Sequence, residues 1–224
     1  MNESVSKPDT AGELAYRQIR HDIVCGNLAP GSRLKLEGLK GVYGASVSTL
    51  REILNRLSSE RLVIAEGQRG FEVASMSKQH FQEVALMREL LEIHALKESF
   101  ERGDVEWEGR IVSAHHKLAR IETQMSPGEG VQSNEWKHYD REFHAALISA
   151  CGSAELMATH RQIDDQYLRY QVVVVLYRGE KASEEHKQLL DFALARNHVG
   201  ATSILKRHIR ACVQHTVQNG LLLG

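Results

Sequence analysis

Thiols are scarce: Cys25, Cys151 and Cys212 are all that 224 residues provide. Odd in number, widely spaced and without a C-x-x-C pair, they exclude a disulfide framework and a thiolate zinc cage, and read as buried or idle. Long apolar runs are scarcer still. The longest, from Val172 to Tyr177, falls far short of the ~20 residues a membrane span requires. The opening MNESVSKPDT lacks the apolar core of a signal peptide, so the expected location is the cytoplasm, with no membrane partner. An excess of one charge is also missing. The formal net charge is -1, which excludes a strongly basic protein that coats nucleic acid. Residues 1–78 hold 11 Lys+Arg against 9 Asp+Glu, and the remainder 17 against 20. Whole-domain charge therefore establishes no nucleic-acid binding, and the placement of single charges has to carry that argument.

What is present is an ordinary globular composition, 42% hydrophobic and 25% charged, at a length for one large domain or two modest ones. Of the twelve histidines, all but His21 lie beyond residue 78, so the two ends carry different chemistry. Helical spacing runs from Thr10 to Cys25 through Leu14, Ile19 and Ile23, with Gly26 as a stop. The segment NLAPGSRL is a turn. Leu36, Leu39 and Val42 outline a short second helix closed by Gly44, and Ser46 or Ser48 caps a third through Leu50, Ile53, Leu54 and Leu57. Leu62 to Ile64 and Phe71 to Val73 flank a glycine-bearing turn and predict a hairpin. Three helices and a hairpin are the order of a winged helix-turn-helix, whose third helix enters a DNA major groove. Beyond Lys78 six amphipathic helices are predicted: 81–102, 108–123, 133–150, 154–177, 183–196 and 199–219. The VVVVLY run is read as the end of the fourth, although valine is β-branched. SPGEG is the one loose segment.

The stretches AYRQIRHDIVCGNLAPGSRL, YGASVSTLREILNRLSSERLV and GQRGFEVASM resemble the GntR family of bacterial transcription regulators. MRELLE at 87–92, DREFH at 140–144, EEHKQLL at 184–190 and LKRHI at 205–209 resemble its FCD type of ligand-binding domain. The resemblance covers nearly the whole chain. It implies a mainly α fold: a winged helix-turn-helix over 1–78, then an all-α antiparallel helical bundle over 79–224 that binds metal and effector and forms a homodimer.

Ser46, Ser48 and Thr49 open the third helix and Arg51 follows one turn in. Free N–H groups there suit phosphate, and an arginine binds guanine with two parallel hydrogen bonds. The plain alternative is a serine cap and an Arg51–carboxylate pair; the resemblance makes Arg51 a DNA contact. Arg69 and Gly70 lie at the tip of the hairpin, as a minor-groove wing or a solvated turn. Two positions depart from the family: Val47 and Glu37 stand where arginine is frequent. Lys35 is the replacement phosphate contact.

Asp140 and His144, four apart, share one helical face, while His186 and His208 lie on two other helices. Converging, they would hold a divalent ion; scattered, they are solvated or core groups. The resemblance matches all four to the family's metal-ligand pattern, implying one divalent ion per chain, zinc or nickel first. The other histidines match no ligand position. Arg88 shares a face with Phe81, Val84, Leu91 and Ala95, where an unpaired cation is costly. It pairs with an effector carboxylate, as the resemblance implies, or with a nearby Glu or Asp. The reading is a metabolite-responsive repressor that binds operator DNA and is released by a small organic acid. Its rivals are a metal-dependent hydrolase, for which no general base or nucleophile motif is evident, and a regulator that senses the ion itself.

Overall fold

The computed structural model describes residues 10–125, 134–173 and 177–218. The chain divides into two compact units, Met1–Met76 and Ser77–Gly224, against an expected boundary after Lys78. SPGEG, residues 174–176 of VVVVLY and the end of the last predicted helix lie outside the described residues.

In the first unit, α1 (Ala11–Val24) is capped by Thr10, whose side chain accepts from the backbone N–H of Glu13. It buries Ala15, Tyr16, Ile19 and Ile23, while Leu14 faces solvent. After the turn come β1 (Arg33–Leu34), α2 (Leu36–Tyr43) and α3 (Val47–Ser59). Gly44 closes α2 in the left-handed region, φ 62°, where a Cβ is disfavoured. Of the two possible caps of α3, Ser46 takes the role and accepts from Thr49 N–H. Leu50, Leu54 and Leu57 of α3 are fully buried together with Ile19, Ile23 and Val73, so the apolar stripe of α3 faces inward while Ser46 and Ser48 at its start stay outside.

The hairpin is present as β2 (Val63–Ala65) and β3 (Phe71–Val73). Its tip is a short 3-10 turn, Gly67–Arg69. One strand was not expected: β1 pairs with β3 in the antiparallel order β1-β3-β2, with Leu34 opposite Phe71. Two residues carry no readable alternation, so this strand is tertiary in origin.

The second unit consists of α4 (Lys78–Arg102), α5 (Val105–Glu122), α6 (Asn134–Ile148), α7 (Ala154–Val173), α8 (Glu180–Leu194) and α9 (His198–Gln218). Helix α4 packs on α6, α7 and α9, while α5 packs on α6 and α8, and α8 on α9. Phe81, Trp107, Phe143, Leu189 and Leu205 anchor the core. The buried face of α4 also carries Arg88, Glu89 and Glu92. Three charges on a core-facing stripe are expensive unless each is partnered.

Candidate functional site

Helix α6 presents Asp140 and His144 one turn apart; α8 supplies His186 and α9 supplies His208. All four are buried, and one ligand atom from each lies within 4.8 Å of the others. The predicted set therefore converges. His144 and His186 turn Nε2 toward Asp140 Oδ1 at the centre, and the Nδ1 atoms of all three rings face carboxylates behind them. His186 Nδ1 meets Glu122 Oε1 at 2.8 Å, and His208 Nδ1 meets Glu185 Oε2 at 3.0 Å. Glu122 favours a proton on Nδ1 of His186, and Glu185 does the same at His208, where the Arg178 Nη2 donor also stands 3.1 Å from Nδ1. Asp140 Oδ2 accepts from Gln171 at 3.1 Å, leaving Oδ1 for the centre. There it stands 3.3 Å from His186 Nε2 and 4.0 Å from His144 Nε2.

Nε2 of both His144 and His186 is buried without a hydrogen-bond partner. Each such atom costs about 1–3 kcal/mol if nothing satisfies it. The donor set, one carboxylate oxygen and three imidazole nitrogens, fits a borderline divalent cation such as zinc or nickel. Burial together with the Arg88 cation holds His144 down to about 3. Burial, helped by nearby His186, holds His208 down to about 4 despite its hydrogen bond to Glu185. His186 differs: burial opposes its charge, but its contacts with Asp140 and Glu122 lift it to about 9. Its charged form is thus favoured, and an ion at the centre would compete with a proton on His186. Burial raises Asp140, yet the imidazoles around it keep it well below the usual carboxylate range.

Arg88 is 3% exposed. Its Nε donates to Glu92 Oε1 at 2.7 Å, and its guanidinium stands 4.4 Å from the centre of the Tyr167 ring. Of the two roles considered, the internal ion pair is therefore realised. It occupies Nε alone: the terminal amino groups make no hydrogen bond among the described residues. The expected face holds Phe81, Val84 and Ala95 in the core, with Leu91 only partly covered. Glu92 also accepts from His160 Nε2 at 3.0 Å, so His160, one of the histidines that match no ligand position, is buried beside the site. Glu92, His160 and Asp164 form a second acidic cluster. Arg88 and Arg141 already neutralise its carboxylates, which makes it an ion-pair cluster. None of Glu92, Glu122, Glu185, Gln171 and Tyr167 was singled out as a site residue from the sequence, although Glu92 and Glu185 lie in the MRELLE and EEHKQLL stretches. One signal existed: Arg88 and Glu92 are spaced i, i+4.

The first unit sorts its cations into two groups. Arg20 pairs with Glu60, and Arg56 with Glu13 while lying over the Tyr16 ring, tying α1 to the end of α3. Lys35, Arg51 and Arg69 are exposed and have no ion-pair partner among the described residues. The alternative carboxylate pair for Arg51 is thus not formed. Ser46 Oγ lies 2.8 Å from both Ser48 Oγ and Thr49 Oγ1, giving a hydroxyl cluster at the mouth of α3. Lys35 sits at the N-cap position of α2, with exposed Glu37 in its first turn. Arg69 ends the 3-10 turn and Gly70 follows with φ 92°, a conformation open to glycine.

Comparison with known proteins gives these features a common origin. The model for bacterial regulatory proteins of the gntR family matches residues 12–73, and that for the FCD domain matches 83–211. The transcriptional regulator BphR of Paraburkholderia xenovorans (strain LB400) is 39% identical over 215 residues, 94% of this chain and 86% of that one. The transcriptional repressor GlaR of Escherichia coli (strain K12) is 30% identical over 200 residues, 87% and 90% of the two chains. Among solved structures, E. coli McbR/YncC has a TM-score of 0.74 at 19% identity, covering 95% of this chain and 99% of that one. A GntR regulator from Rhodococcus sp. RHA1 has a TM-score of 0.73 at 20% identity over 91% and 95%. The chain belongs to the GntR family of transcription regulators and carries an FCD domain. With that, the hydrolase reading falls.

Proposed function

We propose that this regulator is a homodimeric repressor that binds operator DNA and releases it when a small carboxylate enters the FCD unit. The observation that carries the reading is the pair of orphaned, inward-facing Nε2 atoms beside the bare Oδ1 of Asp140. A divalent ion held by Asp140, His144, His186 and His208, zinc or nickel first, would supply a cationic anchor for an acidic effector. Arg88 supplies a second anchor, because its terminal amino groups remain available for a planar two-pronged pair. Ser46, Ser48, Thr49 and Arg51 face the operator from α3, Lys35 contacts phosphate, and Arg69 with Gly70 forms the wing contact.

Repression draws support from GlaR, whose name describes a repressor. Dimerisation draws support from exposed Leu86, Met87 and Leu90 on α4, an apolar stripe that a second copy would cover. Where operator DNA is found, the cytoplasm, is where the protein would act; among the described residues no helix is long and apolar enough to cross a membrane.

The test combines three measurements on the full chain. Elemental analysis should find about one divalent ion per chain after reconstitution. A thermal-shift panel of small carboxylic acids should give at least one stabilising acid with wild type and none with Arg88→Ala. That acid should lower affinity for the operator. A wild-type chain that takes up no ion would reduce the constellation to four core residues.

A further inference from the structure

Each imidazole of the centre has a glutamate on its outer side, but the three glutamates are not equivalent. Glu122 serves His186 through Oε1 at 2.8 Å, and Glu185 serves His208 through Oε2 at 3.0 Å. The glutamate beside His144 is Glu92, whose Oε2 lies 3.8 Å from Nδ1. That distance exceeds a hydrogen bond, and a small shift closes it. Glu92 stands back because Oε1 is held by two donors, Arg88 Nε at 2.7 Å and His160 Nε2 at 3.0 Å. It is 1% exposed. Burial works against its ionisation, but the Arg88 guanidinium and the imidazoles of His160 and His144 hold it well below the usual carboxylate range.

We infer that Glu92 is a positioning residue serving both ends of the site: it aims Arg88 at the effector and fixes the proton of His144 on Nδ1. The inference rests on the metal reading above. One oxygen of the carboxylate holds the guanidinium by Nε, which leaves the two terminal amino groups to face an acid. The other oxygen presents only lone pairs to His144 Nδ1, so the neutral ring keeps its proton on that side and Nε2 stays free to ligate. A glutamine here is nearly isosteric with different consequences. Its carbonyl still accepts from Arg88 and His160, which turns its amino group toward His144. Nδ1 must then accept, the proton moves to Nε2, and the ligating lone pair is lost.

The experiment uses zinc as the probe, on the full chain. Chelator competition should show Glu92→Gln weakening zinc by about 10–100-fold, the range for partners behind ligating histidines. Imidazole 15N shifts of the metal-free protein should place the His144 proton on Nδ1 in wild type and on Nε2 in Glu92→Gln. A purely packing role would change neither tautomer nor zinc affinity at unchanged helicity. Glu92→Asp, which keeps the charge with shorter reach, should retain the Nδ1–H tautomer and an intermediate zinc affinity. It also decides the matter should the glutamine variant fail to fold. Wild-type zinc affinity and tautomer in Glu92→Gln, or an Nε2–H tautomer in Glu92→Asp, would overturn the inference alone. A wild-type chain that binds no zinc would overturn the metal reading beneath it.

Discussion

The two units place their candidate functional groups on opposite sides of the water boundary. In the DNA-binding unit Lys35, Ser46, Ser48, Arg51 and Arg69 are exposed, so each is cheap to maintain and easy to replace. In the FCD unit Arg88, Asp140, His144, His186 and His208 are all at most 7% exposed. A buried polar group is costly unless satisfied, so this site needs supporting partners that the surface does not. Glu92, Glu122, Glu185 and Gln171 are those partners. The difference predicts how each unit fails: the buried site by loss of a whole constellation, the surface by small independent decrements.

The largest effect should come from His208→Ala or His144→Ala. Removing one imidazole leaves three donors and a void, and the ion's affinity should fall by more than ~100-fold, beyond the cost of an outer-shell change. Chelator competition on each variant reads it directly. Operator binding in the absence of effector should stay near wild type. A His208→Ala chain that retains the ion would break the contrast.

Next in size is the pH dependence of the metal-free chain. His144 and His208 lie at about 3 and about 4 when folded, below the ~6.5 of an unfolded histidine. As pH falls below that value the unfolded chain takes up protons first, so stability drops. His186 lies at about 9, above its unfolded value. Its contribution is complete below pH ~6.5 and is lost as pH rises toward 9. Stability of the metal-free unit should therefore peak near pH ~6.5 and fall on both sides, by on the order of a few kcal/mol. Between these limits, loading the ion must displace the His186 proton. Calorimetry at pH 7.5 in buffers of different ionisation enthalpy should show about one proton released per ion. Zero release would mean that His186 is already neutral in the metal-free chain.

Much of this was legible in the sequence, for reasons that track the same boundary. The turn of the helix-turn-helix announced itself through Gly44 and the hydroxyl cap at Ser46, because caps and left-handed turns are local chemistry. The inward stripe of α3 followed from period alone, and so did that of α1 apart from Leu14, which faces solvent. Asp140 and His144 were visible as an i, i+4 pair, whereas His186 and His208 needed the family resemblance to be joined to them. The outer carboxylates stayed hidden. Glu185 is adjacent to His186 in sequence, yet it serves His208 on another helix. Strand β1 stayed hidden too, since two residues acquire their conformation from Phe71 and Glu72 across the sheet.

On the exposed side the effects should be smaller and separable. Arg51 has no ion-pair partner to lose, so Arg51→Ala should remove a base contact and nothing internal. The expected loss is about 1–3 kcal/mol of operator affinity with relaxed specificity at one base pair per half-site. Metal content should not change. Competition by random DNA makes the measurement: an unchanged preference for operator would show that Arg51 is a solvated helix residue.

The smallest prediction concerns Lys35, and it tests whether the surface acts by independent contacts. Lys35 stands at the start of α2, exposed and unpaired among the described residues, two residues before Glu37. A lysine there offers a point charge to phosphate, with no fork to read a base edge. Lys35→Ala should then weaken operator and random DNA alike. The slope of log affinity against log salt should become shallower by about one, the change for one released counterion. Glu37→Gln should act in the opposite direction, strengthening both DNAs, because it removes a charge that repels the same backbone. Anisotropy titrations across a salt series separate the two. If Lys35→Ala left the slope unchanged while lowering operator affinity alone, Lys35 would read sequence. The surface would then share the buried site's dependence on exact geometry.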